Sequence, residues 1–187
     1  ILEETGTAMN GLSAVAVSNG PGSYTGLRIG LSTAKGICYG LDIPLITLDS
    51  LQVMAAWFVK KNQTEENPNT LIIPLIDARR QEVYAGYFDV QIQPVKNSEA
   101  LILNERSFSE IQQQFDCFFI GNGAEKTRAI LEKNDKSQFY PDFLTSAAGM
   151  TNLSWQLYQQ QKFADVAYAE PFYLKEAYTT TTGKKSI

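Results

Sequence analysis

A short glycine-rich turn carries the residues of this sequence that are best suited to chemistry. The β-branched run Val15–Val17 stops at Asn19-Gly20-Pro21-Gly22, and a long amphipathic segment begins near Ser23. The first amides of a helix have no partner within that helix, so a helix that starts at such a turn can bind an anion or dock against a neighbour. The sequence therefore predicts a strand, a turn and a helix whose start is a candidate site.

Two nucleotide-binding motifs resemble this turn, and the sequence matches neither of them completely. A dinucleotide fingerprint requires a third glycine where Thr25 stands, and a P-loop requires a lysine where the basic residue is Arg28. Asp49, at the end of the next predicted strand, has the position of a ribose-binding acid, which keeps the nucleotide interpretation open. In the alternative interpretation the turn is purely structural, and Ser23 and Thr25 satisfy helix amides.

Two polar residues follow other predicted strands. An aspartate such as Asp77 is a frequent catalytic or metal position after a buried strand, but more often it stabilises its own turn, here with Arg79 as its expected ion-pair partner. Asn122 lies between two glycines, which is typical of a ligand-binding corner or of a turn alone. The candidates for a nucleotide-binding or turn-forming role are Gly20, Ser23, Thr25, Asp77, Arg79 and Asn122.

The composition excludes several classes of protein. The sequence contains no histidine, which excludes a Ser-His-Asp or Cys-His nucleophile and any histidine-ligated zinc. The net charge is −4 and no basic stripe is present, so we expect no direct binding of a nucleic-acid backbone by this chain alone. Cys38 and Cys117 are isolated and predicted to be buried, reduced thiols. No apolar run is long enough to span a bilayer, and we expect a soluble cytoplasmic protein.

The first part of the chain alternates strands and helices, which predicts a parallel sheet. The expected elements are helical turns over 1–7, a strand over 12–17, a helix over 23–41, a strand over 44–49 and a helix over 50–61 with Ser50 as its N-cap. Two parallel strands do not make a stable sheet, because such strands are normally buried on both faces. We therefore expect the first lobe to be truncated at its N-terminal side, with further strands in the natural protein.

The second part repeats this plan after a polar segment at 62–69. The predicted strands are 71–76, 82–90, 95–103, 117–120 and 137–140, and the predicted helices are 107–115, 125–133 and 145–161. Ser107 and Glu110 form a capping box at the start of the first of these helices. The expected domains are residues 1–66 and 67–187.

The helix over 23–41 has two non-polar faces, which require two neighbours. One is a stripe of larger residues that suits the sheet: Leu27, Leu31, Ala34, Cys38 and Leu41. The other consists mainly of small residues: Gly26, Gly30, Thr33, Ile37 and Gly40. Glycine within a helix costs about 1 kcal/mol relative to alanine, so this second stripe is expected to exist for close packing, within the chain or against a partner.

The ordered motifs of the chain resemble the bacterial TsaB (YeaZ) family. The motifs are Gly20–Gly30 (GPGSYTGLRIG), Thr33–Gly36 (TAKG), Pro44–Ile46 (PLI), Asp77–Tyr84 (DARRQEVY) and Pro171–Lys175 (PFYLK), the last with lysine where the family has arginine. The resemblance implies a two-lobed α/β fold of the actin, Hsp70 and sugar-kinase type, in which each lobe has an RNase H-like sheet.

The resemblance also implies a function. TsaB proteins are held to be non-catalytic partners of the paralogue TsaD, which transfers threonylcarbamoyl to adenosine 37 of tRNA, in a complex with the ATPase TsaE. No cofactor is expected in this chain itself, although the family implies ATP or ADP at the junction with TsaD. A homodimer through the first lobe is an alternative pairing. The residues expected at the partner interface are Gly22, Tyr24, Gly26, Arg28, Gly30, Thr33, Ile37 and Gly40.

Three other functions stay open from the sequence. The same fold occurs in phosphotransferases, and Asp77 is a candidate for such a role. A peptidase is the second alternative, with Ser23 as nucleophile and Lys35 as an unusual base, because no histidine is available. A nucleotide-binding sensor is the third.

Overall fold

The structure, a computed structural model, describes residues 2–64, 67–131 and 134–174. In this part of the chain the strands are β1 (Val15–Gly20), β2 (Leu45–Asp49), β3 (Thr70–Asp77), β4 (Glu82–Phe88), β5 (Pro94–Ile102), β6 (Asp116–Ile120) and β7 (Ser137–Tyr140). The α-helices are α1 (Leu2–Thr5), α2 (Tyr24–Leu41), α3 (Ser50–Asn62), α4 (Ser109–Gln114), α5 (Ala124–Ile130) and α6 (Met150–Gln159). Two short 3₁₀ turns span Met9–Gly11 and Ala147–Gly149.

The first sheet consists of β1 and β2, which pair in parallel with Val15 opposite Leu45. Helix α2 covers one of its faces, where Leu31, Ala34 and Cys38 pack against Leu45. The other face contacts α3 and α6 through a second cluster of buried and half-buried apolar side chains. The parallel arrangement predicted from the strand–helix–strand pattern is therefore confirmed for these two strands.

The second sheet has five strands in the order β5-β4-β3-β6-β7. The β3–β4 and β4–β5 pairs are antiparallel, whereas β3–β6 and β6–β7 are parallel. Numbered within this sheet the order is 3-2-1-4-5, so the antiparallel strands lie on one side of the first strand and the parallel strands on the other. Its strands confirm the predicted antiparallel pair and the predicted third strand, with shifts of one or two residues at their ends.

Helix α3 joins the two sheets into one packed unit. Leu51, Ala55 and Phe58 are buried against Ile72 and Ile120 of the second sheet. Another face of α3 packs on the first sheet and α6, where Val53 is buried. A single helix thus has apolar partners on both sides, which fixes the separation of the sheets.

Two predicted helix caps are wrong. Asp49, and not Ser50, caps α3, because its Oδ1 accepts hydrogen bonds from the amides of Leu51 (2.7 Å) and Gln52 (3.0 Å). Helix α4 has no side-chain cap and starts after Phe108, whose φ of 65° places it in the left-handed region. The Ser107 hydroxyl instead accepts a hydrogen bond from the amide of Asn104. It therefore stabilises the turn before the helix and does not cap the helix.

The predicted long helix over 145–161 is divided in the structure. The Ala147–Gly149 turn precedes α6. Ser146 caps this turn, because its Oγ accepts a hydrogen bond from the amide of Ala148 (3.2 Å). A Cβ atom on Gly149 would lie 2.3 Å from the carbonyl oxygen of Val53, so this turn lies directly on α3. Lys133, at the predicted end of α5, and Lys175, at the end of the late motif, lie outside the described residues.

Candidate functional site

A cleft of about 540 Å³ lies between the two sheets and collects most of the predicted site residues. Ser23 and Thr25 contribute from the β1–α2 turn, and Asp77, Arg79 and Asn122 contribute from the ends of strands in the second sheet. Gly20 does not line the cleft but directly precedes Pro21, which does. Residues 172–174 form the third wall.

The conformation of Gly20 shows why the turn requires glycine. Its φ is +121°, and a Cβ atom would lie 2.3 Å from the carbonyl oxygen of Phe172. Its amide donates to Oγ of Ser50 (3.1 Å), which also shares a 2.6 Å hydrogen bond with Ser18. The turn is thus held between the β2–α3 junction and the wall formed by residues 172–174.

The start of α2 faces the cleft. Ser23 is the N-cap, as predicted, and its Oγ accepts from the amide of Gly26 (3.4 Å). This is the single hydrogen bond of the Ser23 hydroxyl among the described residues. Lys35, the base that a peptidase mechanism would need, does not line the cleft, and its ammonium group donates to the carbonyl oxygens of Ala167 and Ala169. Lys35 is therefore not positioned to act as a base for Ser23.

Asp77 stabilises its own turn, as one of the two interpretations predicted. Its Oδ1 accepts from the amide of Arg79 (2.6 Å) and from Nζ of Lys126 (2.6 Å). The prediction that Asp77 forms an ion pair with the Arg79 side chain is wrong. Arg79 has a φ of 69°, and the described ion-pair partner of Asp77 is Lys126. Burial acts to raise the pKa of Asp77, but the hydrogen bonds from Lys126 and Arg79 outweigh it, so this pKa lies below its usual value.

Asn122 connects the ends of two neighbouring strands. Its Oδ1 accepts from the amide of Asp77 (2.9 Å), which orients the β3 end toward the corner that follows β6. Gly121 has a φ of +94°, and a Cβ atom there would lie 2.6 Å from the carbonyl oxygen of Leu75. The Gly-Asn-Gly sequence therefore builds a tight corner beside the cleft.

Residues 164–174, which we call the strap, run along α2 and close one side of the cleft. The ring of Tyr173 stacks on that of Tyr24 with 4.8 Å between centroids, and Nε of Arg28 donates to the Tyr173 hydroxyl (3.2 Å). The guanidinium of Arg28 also lies over the Tyr24 ring and contacts the Tyr24 hydroxyl. Arg28 and Tyr24, both expected at a partner interface, are thus engaged within the chain.

Further contacts fix the strap to β1 and β2. The amide of Phe172 donates to the carbonyl oxygen of Asn19 (2.8 Å), and that of Ala164 donates to the carbonyl oxygen of Leu45 (2.8 Å). The side-chain amide of Asn19 donates to the carbonyl oxygen of Glu170, whereas its buried Oδ1 has no described partner. Lys35 of α2 adds hydrogen bonds to the carbonyl oxygens of Ala167 and Ala169, so the strap is attached to α2 as well as to the two strands.

The opposite flank of α2 is open. Ile29 is 63% exposed, and Gly26, Thr33 and Gly40 are exposed around it. Gly30 and Ile37 are half-buried, and a Cβ atom on Gly30 would lie 3.7 Å from Val17, so the part of the small-residue stripe at Gly30 packs on the chain's own sheet. The outer part of the stripe has free space, because no atom of the described residues lies within 4 Å of a Cβ atom placed on Gly40.

Sequence reasoning missed the groups that hold the cleft together. Lys126 gave no motif signal, although its position in the helix after the Gly121–Gly123 corner points it back toward Asp77. Tyr173 belongs to the Pro171–Lys175 motif, which gives no sign of a contact with α2, and no local pattern relates Ser18 and Ser50 to the turn. No group of three or more Cys, Asp or Glu residues among residues 2–64, 67–131 and 134–174 is arranged to hold a metal. No helix in that part of the chain is long and apolar enough to cross a membrane.

Comparison with known proteins identifies the family. The family model described as TsaD, tRNA N6-adenosine threonylcarbamoyltransferase, matches residues 1–182. The tRNA threonylcarbamoyladenosine biosynthesis protein TsaB of Escherichia coli K12 is 28% identical over 186 residues, which cover 94% of this chain and 76% of that protein. The TsaB protein of Haemophilus influenzae Rd is 29% identical over 191 residues, which cover 96% and 77% respectively.

A solved structure shares the fold. It is a Pseudomonas aeruginosa protein described as similar to the peptidase YeaZ, with a TM-score of 0.79 at 22% identity, covering 93% of this chain and 79% of the other. The α/β fold that the resemblance implied is thereby confirmed. This chain belongs to the TsaD family and, within it, to the TsaB (YeaZ) proteins.

Proposed function

We propose that this chain is the partner subunit that binds and activates a TsaD-type transferase for formation of N6-threonylcarbamoyladenosine in tRNA. In this role it supplies a binding surface and no catalytic group. The proposal includes a TsaE-like ATPase in the complex, a homodimer as the alternative pairing, and a cytoplasmic location. The two relatives named TsaB support the pathway, and the absence of histidine agrees with a non-catalytic subunit.

The open flank of α2 is the observation that carries this proposal. Ile29 is a large apolar side chain that is mostly exposed, beside glycines that leave room for a second helix at close range. An exposed apolar residue surrounded by small residues is favourable when a partner covers it. Because the strap already occupies the other flank of α2, the flank around Ile29 is the one that residues 2–64, 67–131 and 134–174 leave open to a partner.

The test introduces a large side chain on the open flank at a position where it does not disturb the packing of the chain. Gly40→Trp adds a large side chain at a position where no other described residue lies within 4 Å of the new Cβ atom. Gln114→Trp is the matched control, because Gln114 is exposed at the end of α4 on the second sheet. Each variant would be co-expressed with a TsaD-type transferase, and the complex measured by light scattering after gel filtration.

The expected result is loss of the complex for Gly40→Trp and retention for Gln114→Trp. The N6-threonylcarbamoyladenosine content of tRNA, measured in cells that depend on each variant, should fall in the same order. Equal complex formation by both variants would place the interface elsewhere. Absence of any complex with the unchanged chain would reject the partner role.

A nucleotide is a second candidate ligand, because five predicted residues line one cleft. The first amides of α2, the Ser23 and Thr25 side chains and the exposed guanidinium of Arg79 are the groups suited to a phosphate. Titration of the chain with ATP and Mg²⁺ by calorimetry should then show one micromolar site. Arg79→Gln should weaken it about tenfold, and Arg106→Gln, exposed near α4, should not.

An enzymatic role has less support. The Pseudomonas aeruginosa protein is described as similar to a peptidase, but Lys35 does not line the cleft that contains Ser23, and Asp77 is paired with Lys126. Asp77→Asn separates the alternatives, because a partner subunit should still support the transferase after this change. An enzyme that uses Asp77 would lose activity while it still formed the complex.

A further inference from the structure

A second cavity, of about 610 Å³, lies between α3, α6 and the turn that joins β4 to β5. It shares no lining residue with the inter-sheet cleft and does not include α2. Its apolar floor is formed by Val59, Ile92, Leu153 and Leu157. We call it the α3–α6 pocket, and its volume is typical of a ligand pocket.

Side-chain amides form a ladder along one wall of this pocket. Asn152, Gln156 and Gln160 follow one another at intervals of four residues, so they lie on one face of α6 and its end. Each amide can both donate and accept a hydrogen bond, and none of the three side chains has a hydrogen-bond partner in the part of the chain that the structure describes.

The spacing of this ladder matches an extended peptide. Four residues of a helix rise about 6 Å. Two residues of an extended strand, which return to the same side of the backbone, span about 6.6 Å. Successive amides can therefore meet main-chain groups on one side of an extended segment, whereas a small compact ligand would meet one of them.

The charges around the pocket are of one sign. Lys60 and Lys162 are the charged residues of its described lining, and neither has a carboxylate partner among the described residues. The whole chain has a net charge of −4, so this is a local reversal of its overall charge. Two unpaired ammonium groups beside an apolar floor favour an anionic ligand with an apolar part.

The backbone of Ile92 is an independent indication that this wall is constrained. Ile92 has a φ of 64°, a region in which a β-branched residue is a rare outlier. The turn is closed by the amide of Ile92, which donates to the carbonyl oxygen of Asp89, and by the amide of Gln93, which donates to Asp89 Oδ1. Such outliers cluster at ligand-binding sites, and here the strained residue presents an aliphatic side chain to the pocket.

We propose that the α3–α6 pocket binds a short, extended acidic peptide segment that carries one large apolar side chain. The apolar side chain contacts Leu153 and Leu157, the peptide main chain pairs with the amide ladder, and carboxylates on either side contact Lys60 and Lys162. This surface is separate from the open flank of α2, so the proposal does not depend on the partner function given above.

The test uses three matched fluorescent peptides and fluorescence anisotropy with the full chain. The first contains Glu-Gly-Leu-Gly-Glu, in which the three side chains lie on one side of an extended backbone, the second Gln-Gly-Leu-Gly-Gln, and the third Glu-Gly-Ala-Gly-Glu. We expect saturable one-site binding of the first peptide, with a dissociation constant below about 1 mM. The Gln and Ala versions should each bind at least about fivefold more weakly, since each lacks one of the two contacts.

Protein variants then locate the binding site. Lys60→Gln combined with Lys162→Gln should abolish the preference for Glu over Gln, whereas Lys136→Gln, on an exposed lysine elsewhere, should preserve it. Ala56→Trp should fill the floor and weaken the first peptide about tenfold or more. If Ala56→Trp lowers the melting temperature measured by circular dichroism, the double variant Asn152→Ala, Gln156→Ala replaces it as the test, because it changes only exposed side chains of the amide ladder.

Several results would overturn the proposal. They are absence of saturable binding up to about 1 mM, equal affinity for the Glu and Gln peptides, and binding unaffected by the lysine and amide variants. Loss of binding in the Lys136→Gln control would also overturn it, because the contact would then lie outside the pocket.

Discussion

The ammonium group of Lys126 lies 2.6 Å from Oδ1 of Asp77 and links the start of α5 to the end of β3. The same ammonium donates to the carbonyl oxygens of Arg80 (3.0 Å) and Glu82 (2.7 Å), so all its protons are used. One lysine thus organises the turn after β3, and the aspartate that the sequence offers for catalysis is neutralised by it.

Asp77→Asn should reduce stability in a pH-dependent way. Because the pKa of Asp77 is lowered in the fold, its contribution is present above the unfolded-state value of about 3.9 and is lost as the pH falls through the lower folded-state value. The side chain of Asp77 is 43% exposed, so we expect a loss of about 0.5–1.5 kcal/mol at neutral pH. Urea unfolding at pH 7 and at pH 3 measures the difference.

The control for this experiment is Glu125→Gln. Its ion pair with Arg128 (2.7 Å) is more than half exposed on both sides, and we expect a loss below about 0.5 kcal/mol. A difference between Asp77→Asn and the unchanged chain that is equally large at pH 3 and pH 7 would contradict the assigned role of the carboxylate.

Gly20→Ala should displace the strap. The new Cβ atom would lie 2.3 Å from the carbonyl oxygen of Phe172, at a φ that alanine rarely adopts, so we expect a loss of about 2–4 kcal/mol. Gly26→Ala is the matched control, because its Cβ atom would meet only Ser23 at 3.5 Å and the change should be neutral or stabilising. Urea unfolding compares the two variants. A Gly20→Ala variant as stable as the unchanged chain would contradict the close approach of Gly20 to the carbonyl oxygen of Phe172.

The sequence predicted the fold well where periodicity and turn chemistry agree. In the predicted stripe Leu27, Leu31, Ala34 and Cys38 are buried and Leu41 is half-buried, and Ser23 caps the helix that carries them. The prediction was wrong where two neighbouring residues compete for one role. Asp49 and Ser50 are both good N-caps, and Ser50 instead bonds the Gly20 amide, a contact that depends on how the β1–α2 turn is positioned.

The candidate site was predictable as a set of residues but not as an arrangement. Glycine and aspartate at strand ends mark local turns, and their convergence on one cleft follows from the packing of α3 between two sheets. Arg28 shows the limit most clearly. On α2 it lies outside both non-polar stripes, but its partner Tyr173 lies 145 residues further along the chain, and no local pattern relates them.

Both cysteines should resist thiol reagents in the folded protein. Cys38 and Cys117 are free and each is 1% exposed. Burial raises the pKa of both thiols, and that of Cys117, with a further contribution from Asp116, reaches about 12. With Ellman's reagent at pH 8 we expect no fast reaction in buffer and two equivalents in urea. A fast equivalent under native conditions would contradict this burial.

Lys35→Met should loosen the strap while it leaves the helix intact. The methionine keeps an unbranched apolar stem, but the hydrogen bonds from Nζ to the carbonyl oxygens of Ala167 (2.9 Å) and Ala169 (3.0 Å) are lost. Each hydrogen bond contributes about 1 kcal/mol, so amide exchange in residues 164–174 should accelerate about fivefold or more, with little change in the second sheet. Hydrogen–deuterium exchange read by mass spectrometry on peptides of the strap measures this effect.

Lys136→Met is the control, since the ammonium group of Lys136 makes a longer hydrogen bond (3.4 Å) to the carbonyl oxygen of Gln113. Equal exchange of the strap in both variants would show that Lys35 does not hold it.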